Sequence, residues 1–197
     1  FDYGFVSADS HVTEPPTCYT DYIDPAYRDR APHIKHDDKR GDIYIIPGLS
    51  NMSVPMGLVA AAGEESHQMT FAGRDFKDWH RSGWDPSRRL ADKARDGVAA
   101  EMLFATVGMP ICGHEDLDYR HACMVAYNRW LRDYCSHAPD RLYGAGLAAK
   151  RLTPYTSLGT LVVAVQWIDL LWPSALMLGI ERVRVVVRAS RGWADGV

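Results

Sequence analysis

Asp85-Pro-Ser-Arg-Arg-Leu-Ala-Asp-Lys-Ala-Arg-Asp-Gly-Val-Ala-Ala-Glu-Met-Leu-Phe-Ala-Thr-Val107 contains one complete helix-to-strand unit, and the expected fold class follows from it. Asp85 can cap a helix that begins at Pro86 and ends near Arg95, just before an Asp-Gly turn. The strand that follows, from Ala100 to Val107, is a nearly continuous apolar run, which is typical of parallel strands buried on both faces. The sequence therefore predicts an α/β fold.

Two further strands and a second helix flank this unit. Residues 4 to 10 and 142 to 149 have the composition of strands, and a short strand is expected from Asp42 to Pro47 within a Pro- and Gly-rich insertion of about residues 15 to 84. A helix is expected over residues 117 to 137, with apolar side chains at three- and four-residue steps that include Tyr119, Cys123, Tyr127, Trp130 and Tyr134. This order of elements predicts right-handed parallel β/α units.

Metal-binding residue types stand where the first strand ends. Ser7-Ala-Asp-Ser-His-Val-Thr-Glu14 places Asp9 and His11 two positions apart, and such side chains point to the same face of a strand. A carboxylate oxygen and an imidazole nitrogen there can converge on one cation at about 2.0–2.2 Å from each. The alternative is a strand-end Asp bound to backbone amides beside a hydrogen-bonded His. Glu14 is a further candidate ligand, an acceptor that orients His11, or simply the start of a loop.

Other polar side chains are candidates for contact with a substrate. His114 follows the second strand of the predicted sheet and is a candidate to touch substrate or carry protons near neutral pH. The alternative is a solvated loop histidine. Arg88 and Arg89 are candidates to anchor a substrate carboxylate, although arginines near a helix start are more often solvated or paired, here with Asp92.

Five motifs follow one another along the chain: Ser7-Ala-Asp-Ser-His-Val-x-Glu-Pro15, Gly83-Trp-Asp-Pro-x-x-Arg-Leu-Ala-Asp92, Asp96-Gly-Val98 with Glu101, Ala126-Tyr-Asn-Arg-Trp-Leu131 and Ala138-Pro-Asp-Arg-Leu142. Together they resemble the amidohydrolase-related (amidohydrolase 2) family. More narrowly, the chain looks like the branch that includes aminocarboxymuconate-semialdehyde decarboxylase and metal-dependent aromatic-acid decarboxylases. The resemblance covers about residues 1 to 149. It implies a (β/α)₈ TIM-barrel-like fold, of which this chain holds about the first three β/α units, with a divalent zinc or manganese ion at the C-terminal mouth.

The same resemblance implies a function. It assigns Asp9 and His11 to the ligand pair of the first strand, and later strands of the family supply a His and an Asp. It implies a metal-dependent hydrolase that acts on a small organic substrate through a metal-activated water. A metal-dependent decarboxylase, which is a lyase, is the alternative within the same fold. The alternative from a different class is a non-catalytic fragment that persists by associating with another copy or another protein.

Residues 150 to 197 depart from the family pattern. This stretch holds six Lys or Arg against three acidic residues, and it contains no histidine that could serve as the later ligand. We therefore expect an unmatched tail, truncated or shifted in reading frame, and a metal site that is incomplete in this chain. Residues 158 to 180 are apolar over a length that would suit a membrane helix, but a glutamine, an aspartate and a proline interrupt them, so no membrane span is expected.

Composition narrows the expected partners. The 197 residues suit one domain, and 47% hydrophobic residues with a net charge of −3 argue against disorder and against a basic surface for nucleic acid. The four cysteines form no Cys-x-x-Cys pair, which favours reduced thiols. The first residues lack the features of a signal peptide, so a cytoplasmic protein is expected. The expected partners are a small-molecule substrate and, in a homo-oligomer, further copies of the chain; neither nucleic acid nor a membrane is expected.

Overall fold

The structure, a computed structural model, describes residues 4–49, 54–55, 70 and 75–148. The chain divides after Lys150 into two units, and every described residue belongs to the first, Phe1–Lys150. The predicted tail from residue 150 onward, with its apolar stretch, lies outside the described residues. None of the helices in the described ranges has the length and apolar character that a membrane crossing requires.

In chain order, the described residues form six strands and four α-helices. The strands are β1 (Phe5–His11), β2 (His33–Asp37), β3 (Gly41–Ile45), β4 (Val54–Pro55), β5 (Val98–Phe104) and β6 (Leu142–Gly144). The helices are α1 (Thr17–Thr20), α2 (Pro86–Asp96), α3 (Gly108–Ile111) and α4 (Leu117–Cys135). Three 3₁₀ turns cover Pro25–Arg30, Phe76–Asp78 and Arg81–Gly83.

A parallel sheet carries the candidate site. Its strand order is β1–β5–β6, and both pairings are parallel, which confirms the predicted parallel β/α arrangement. The register of β1 changes between Ser7 and Ser10, which pair with Glu101 and Leu103 of β5. Three steps along β1 therefore correspond to two along β5, so β1 contains one extra residue there. Such a bulge changes the direction in which nearby side chains point, and Asp9 lies inside it.

The ends of α2 follow the local rules that predicted them. The side chain of Asp85 accepts hydrogen bonds from the backbone N–H groups of Ser87 and Arg88, and Pro86 is the first helical residue. Gly97 ends the helix with a φ of 72°, a left-handed conformation that glycine adopts without steric cost. The predicted helix boundaries are therefore confirmed to within one residue.

β5 differs from its prediction in position and in burial. It begins two residues before Ala100 and ends at Phe104, three residues before the predicted end. Residues 105 to 107 leave the sheet because the N–H groups of Thr106 and Val107 donate to a side chain instead of to a strand. The expectation that β5 is buried on both faces was wrong: Glu101 and Leu103 are buried, whereas Ala100, Met102 and Phe104 on the opposite face are only half-buried. β6 is also shorter than predicted, ending at Gly144.

The insertion after β1 contains an antiparallel sheet in the order β2–β3–β4. The strand expected from Asp42 is β3. Its partner β2 has the sequence His-Ile-Lys-His-Asp, in which a single apolar residue gives no alternation to recognise. The side chain of Asp37 accepts from the backbone N–H groups of Lys39 and Arg40 and so closes the turn between the two strands.

The hydrophobic core packs on α4. The predicted apolar stripe of this helix is buried, and Trp130 contacts the rings of Tyr127 and Tyr134. Side chains from the insertion, among them Tyr19 and Tyr44, join the same core. All four cysteines are free thiols. The insertion is thus packed onto the body that carries the parallel sheet.

Candidate metal centre

Asp9 and His11 come together at the C-terminal end of β1. Asp9 Oδ1 lies 3.6 Å from His11 Nε2, and the two side chains are 64% and 42% exposed. Both groups therefore face open space and not the core. The structure brings together the two residues that the sequence singled out as a ligand pair.

The second ring nitrogen of His11 is held by the backbone. His11 Nδ1 lies 2.9 Å from the carbonyl oxygen of Ala105, just past the end of β5. Because a carbonyl oxygen only accepts, Nδ1 carries a proton, and in the neutral imidazole Nε2 therefore presents a lone pair. The Thr106 hydroxyl oxygen also lies 3.4 Å from Nδ1, and because it donates its own proton to the carbonyl of Val12, it too can only accept from His11. Histidines that bind metals almost always donate their other N–H to a carbonyl or carboxylate in this way. The ring of Phe104 packs beside the imidazole, with 6.0 Å between ring centroids.

Glu14 is fully buried and holds the connection between β5 and α3. Its Oε1 accepts from the N–H groups of Thr106 and Gly108 at 3.2 and 2.9 Å, and its Oε2 from those of Thr106 and Val107 at 3.3 and 2.9 Å. Burial raises the pKa of Glu14, while the backbone donors act in the opposite direction. These contacts are those of a backbone clamp. A role of Glu14 as a metal ligand stays a prediction.

His114 is buried, so its interpretation as a solvated loop residue was wrong. The residue is 4% exposed, Nε2 lies 2.9 Å from the carbonyl oxygen of Pro47, and Nδ1 accepts from the N–H of Asp116. Gly48 has a φ of +93°, and a Cβ added there would collide with the imidazole. His114 therefore joins the insertion to the start of α4. Its catalytic role stays a prediction, and both of its ring nitrogens already have backbone partners.

A buried ion pair, which sequence reasoning missed, supports the end of β1. Arg89 Nε and Nη2 lie 2.7 and 3.0 Å from the two carboxylate oxygens of Glu101, and Arg89 Nη1 donates to the carbonyl oxygen of His11 at 2.9 Å. Burial alone would raise the pKa of Glu101, but hydrogen bonding and the charge of Arg89 bring it below its usual value. Arg89 thus pairs with a strand residue 12 positions away, beyond the helical spacing that suggested Asp92.

A second cluster of ligand-type side chains lies in the insertion, and the sequence had not indicated it. The ligand atoms of His36, Asp42 and Asp75 lie within 4.8 Å of one another. His36 Nδ1 is 2.9 Å from Asp42 Oδ1 and 3.4 Å from Asp75 Oδ1, and Lys77 Nζ is 3.0 Å from Asp75 Oδ2. Hydrogen bonding to Asp42 raises the pKa of His36. Lys77 supplies positive charge to Asp75, and His36 is hydrogen-bonded to Asp42, so contacts among these side chains account for the cluster.

Comparison with known proteins gives one informative finding. No protein-family model matches the chain, and no curated protein matches it. Among solved structures it is similar to the crystal structure of an amidohydrolase from Mycobacterium avium subsp. paratuberculosis K-10, with a TM-score of 0.50 and 21% sequence identity. The match covers 88% of this chain and 47% of that one, so the chain spans about half the length of that amidohydrolase. At this identity the similarity shows the fold alone: the chain shares an α/β fold with an amidohydrolase.

Proposed function

We propose that this chain supplies the first-strand ligands of the metal centre of a metal-dependent hydrolase of the amidohydrolase-related family. One observation carries the proposal. A carboxylate oxygen of Asp9 and the free Nε2 of His11 lie 3.6 Å apart at the end of β1, while the other nitrogen of His11 is held by the Ala105 carbonyl. The fold shared with an amidohydrolase supports the same interpretation.

The donor set fits a divalent zinc or manganese ion. Two ligand atoms that are each about 2.0–2.2 Å from one ion lie about 3–4 Å apart, and the observed separation falls in that range. Catalytic zinc usually has three protein ligands and an open position. Asp9 and His11 supply two of them, so the remaining ligand would come from outside the described residues.

Each residue at the site has a separate task in the proposed chemistry. Asp9 supplies negative charge, His11 supplies a neutral nitrogen donor, and Arg89 fixes the backbone of His11 through its carbonyl. A divalent ion held by these residues would supply a bound water with a pKa lowered toward about 7 and a Lewis acid for a carbonyl oxygen. The proposed substrate is a small organic molecule with a C–N or C–C bond beside a carbonyl. In barrel enzymes such sites lie at the C-terminal ends of strands, and the position of Asp9 and His11 at the C-terminal end of β1 supports the proposal.

Metal titration of the purified full chain tests the proposal. We expect saturable binding of Zn²⁺ or Mn²⁺ by isothermal titration calorimetry, and at least a tenfold loss of affinity in Asp9→Ala and in His11→Ala. The matched controls are Asp140→Ala and His137→Ala, which remove exposed residues of the same types beyond α4 and are expected to leave the affinity unchanged. Absence of saturable binding to the wild-type chain, or an equal loss in the controls, would refute the proposal.

An activity screen separates hydrolysis from decarboxylation. We expect opening of amides or lactones of small organic acids in the presence of the metal that binds, with loss in Asp9→Ala. Release of carbon dioxide from aromatic acids without any such opening would replace hydrolysis by decarboxylation at the same two residues.

A further inference from the structure

One peptide group lies between Glu14 and His11. The carbonyl oxygen of Ala105 accepts from His11 Nδ1 at 2.9 Å, and the N–H of the same peptide, which belongs to Thr106, donates to both carboxylate oxygens of Glu14 at 3.2 and 3.3 Å. In a trans peptide the C=O and the N–H point in opposite directions, and the described residues contain no cis peptide bond. Glu14 and His11 therefore bind opposite ends of one amide.

We propose that Glu14 is a positioning residue that acts on His11 through the Ala105–Thr106 peptide. Its carboxylate fixes this peptide so that the carbonyl holds the proton of His11 on Nδ1 and leaves Nε2 as the donor toward the metal. The inference deepens the proposed function and rests on it for the role of Nε2. Glu14 was expected to bind the ion or to accept directly from the imidazole; we propose instead that it acts on His11 through the peptide between them.

Two features of the contact set favour an effect on His11 beyond simple anchoring. The clamp is multiple, because the N–H groups of Val107 and Gly108 also donate to Glu14 and the hydroxyl of Thr106 donates to the carbonyl of Val12. The peptide therefore has little freedom to turn its carbonyl away. In addition, hydrogen bonds in a chain polarise one another, so a carboxylate on the N–H makes the carbonyl a better acceptor. A carboxylate bound directly to a ligand histidine fixes its tautomer in the same way.

The tautomer of His11 in the metal-free protein is the deciding readout. Long-range ¹H–¹⁵N spectra of the ¹⁵N-labelled full chain distinguish a protonated Nδ1 from a protonated Nε2, and His11→Ala identifies the signal. We expect protonated Nδ1 in the wild type. Glu14→Gln keeps the side-chain volume but replaces one acceptor oxygen with an NH₂ group, so we expect partial or complete transfer of the proton to Nε2. Zn²⁺ affinity should then fall by about 10- to 100-fold.

A second backbone clamp provides the matched control. Asn128 binds the backbone of Leu147 through both ends of its amide, at 2.8 Å each, beyond the end of β6. Asn128→Ala should lower stability without changing the tautomer of His11 or the Zn²⁺ affinity. If Glu14→Gln does not fold, Glu14→Asp tests the same point, because the shorter side chain draws its oxygens away from the peptide. We then expect a smaller shift of the His11 tautomer toward Nε2 and a smaller loss of Zn²⁺ affinity.

The outcomes separate this inference from the proposed function. The positioning role of Glu14 is overturned if His11 of the wild type is protonated on Nε2, even if the chain binds metal. It is also overturned if the His11 tautomer and the Zn²⁺ affinity stay unchanged in the Glu14 variants. An equal tautomer change in Asn128→Ala would also overturn it. A chain that shows the expected tautomers but never binds a divalent ion would refute the metal centre and leave the Glu14–His11 coupling in place.

Discussion

Replacing Arg89 with methionine tests the buried pair that links α2, β5 and the backbone of His11. The guanidinium holds both oxygens of Glu101, and the two side chains are 12% and 5% exposed. Removing one partner of a buried pair typically costs about 3–5 kcal/mol, because it leaves an uncompensated charge. Lys93 Nζ lies 3.5 Å from the same carboxylate and offsets part of that charge. We therefore expect Arg89→Met to lose unfolding free energy near the lower end of this range, about 3 kcal/mol at pH 7.

The pH dependence of this loss has a defined sign. In the wild type the pKa of Glu101 in the folded protein lies below the usual pKa of a glutamate. The ionised Glu101 therefore stabilises the fold fully when the pH is above the usual pKa, and this stabilisation is lost as the pH falls through the pKa of the folded protein. Without Arg89, burial dominates and raises this pKa. The difference between wild type and Arg89→Met should therefore be largest near neutral pH and should shrink as Glu101 becomes protonated.

Urea unfolding with a double-mutant cycle measures the effect. Arg89→Met combined with Glu101→Leu removes both charges of this pair and should recover part of the stability lost in Arg89→Met, because the buried Lys93 ammonium then keeps the Arg141 carbonyl but loses its carboxylate. Arg88→Met, at the exposed neighbouring position, is the matched control and should stay within about 0.5 kcal/mol of the wild type. A loss below about 1 kcal/mol in Arg89→Met, or a double variant as unstable as the sum of the two single ones, would refute the reasoning.

Three further predictions address separate elements. Asp85→Ala removes the N-cap of α2 and should cost about 1 kcal/mol in urea unfolding; an unchanged midpoint would contradict the cap. Gly144→Ala places a Cβ 2.6 Å from Leu131 Cδ2 and should cost about 1–3 kcal/mol, more than Gly113→Ala, whose Cβ meets its nearest neighbour at 3.5 Å. Hydrogen bonding to the side chain of Arg40 lowers the pKa of Asp37 from 3.8 to about 2. Asp37→Asn should therefore lower the thermal midpoint above pH 4 and match the wild type below pH 2, where Asp37 is protonated. A difference in midpoint that does not change with pH would contradict this.

The features that the sequence predicted well depend on neighbours in the chain. The cap at Asp85, the proline after it and the left-handed Gly97 act within one helical turn, so α2 could be predicted almost residue by residue. Asp9 and His11 could be paired because they stand two positions apart at the end of a strand, whereas the bulge at Asp9 could not be predicted. Both inferences needed only a few consecutive residues.

The features that were missed depend on partners far along the chain. Glu14 meets backbone N–H groups 92 to 94 positions away, and backbone amides have no residue type that a sequence pattern could reveal. Arg89 selects Glu101 over Asp92 because β5 brings a buried carboxylate under the helix. The end of β5 was predicted too late for the same reason, since the Glu14 carboxylate draws Thr106 and Val107 out of the sheet.

The fit between Gly48 and His114 limits how the insertion can be transplanted. A scaffold that received residues 33 to 48 without a histidine before its next helix would leave the Pro47 carbonyl without the donor it has here. A host that kept such a histidine but carried any larger residue at position 48 would meet a steric clash. The glycine at position 48 and the histidine at position 114 depend on each other, so a chimera must contain both residues.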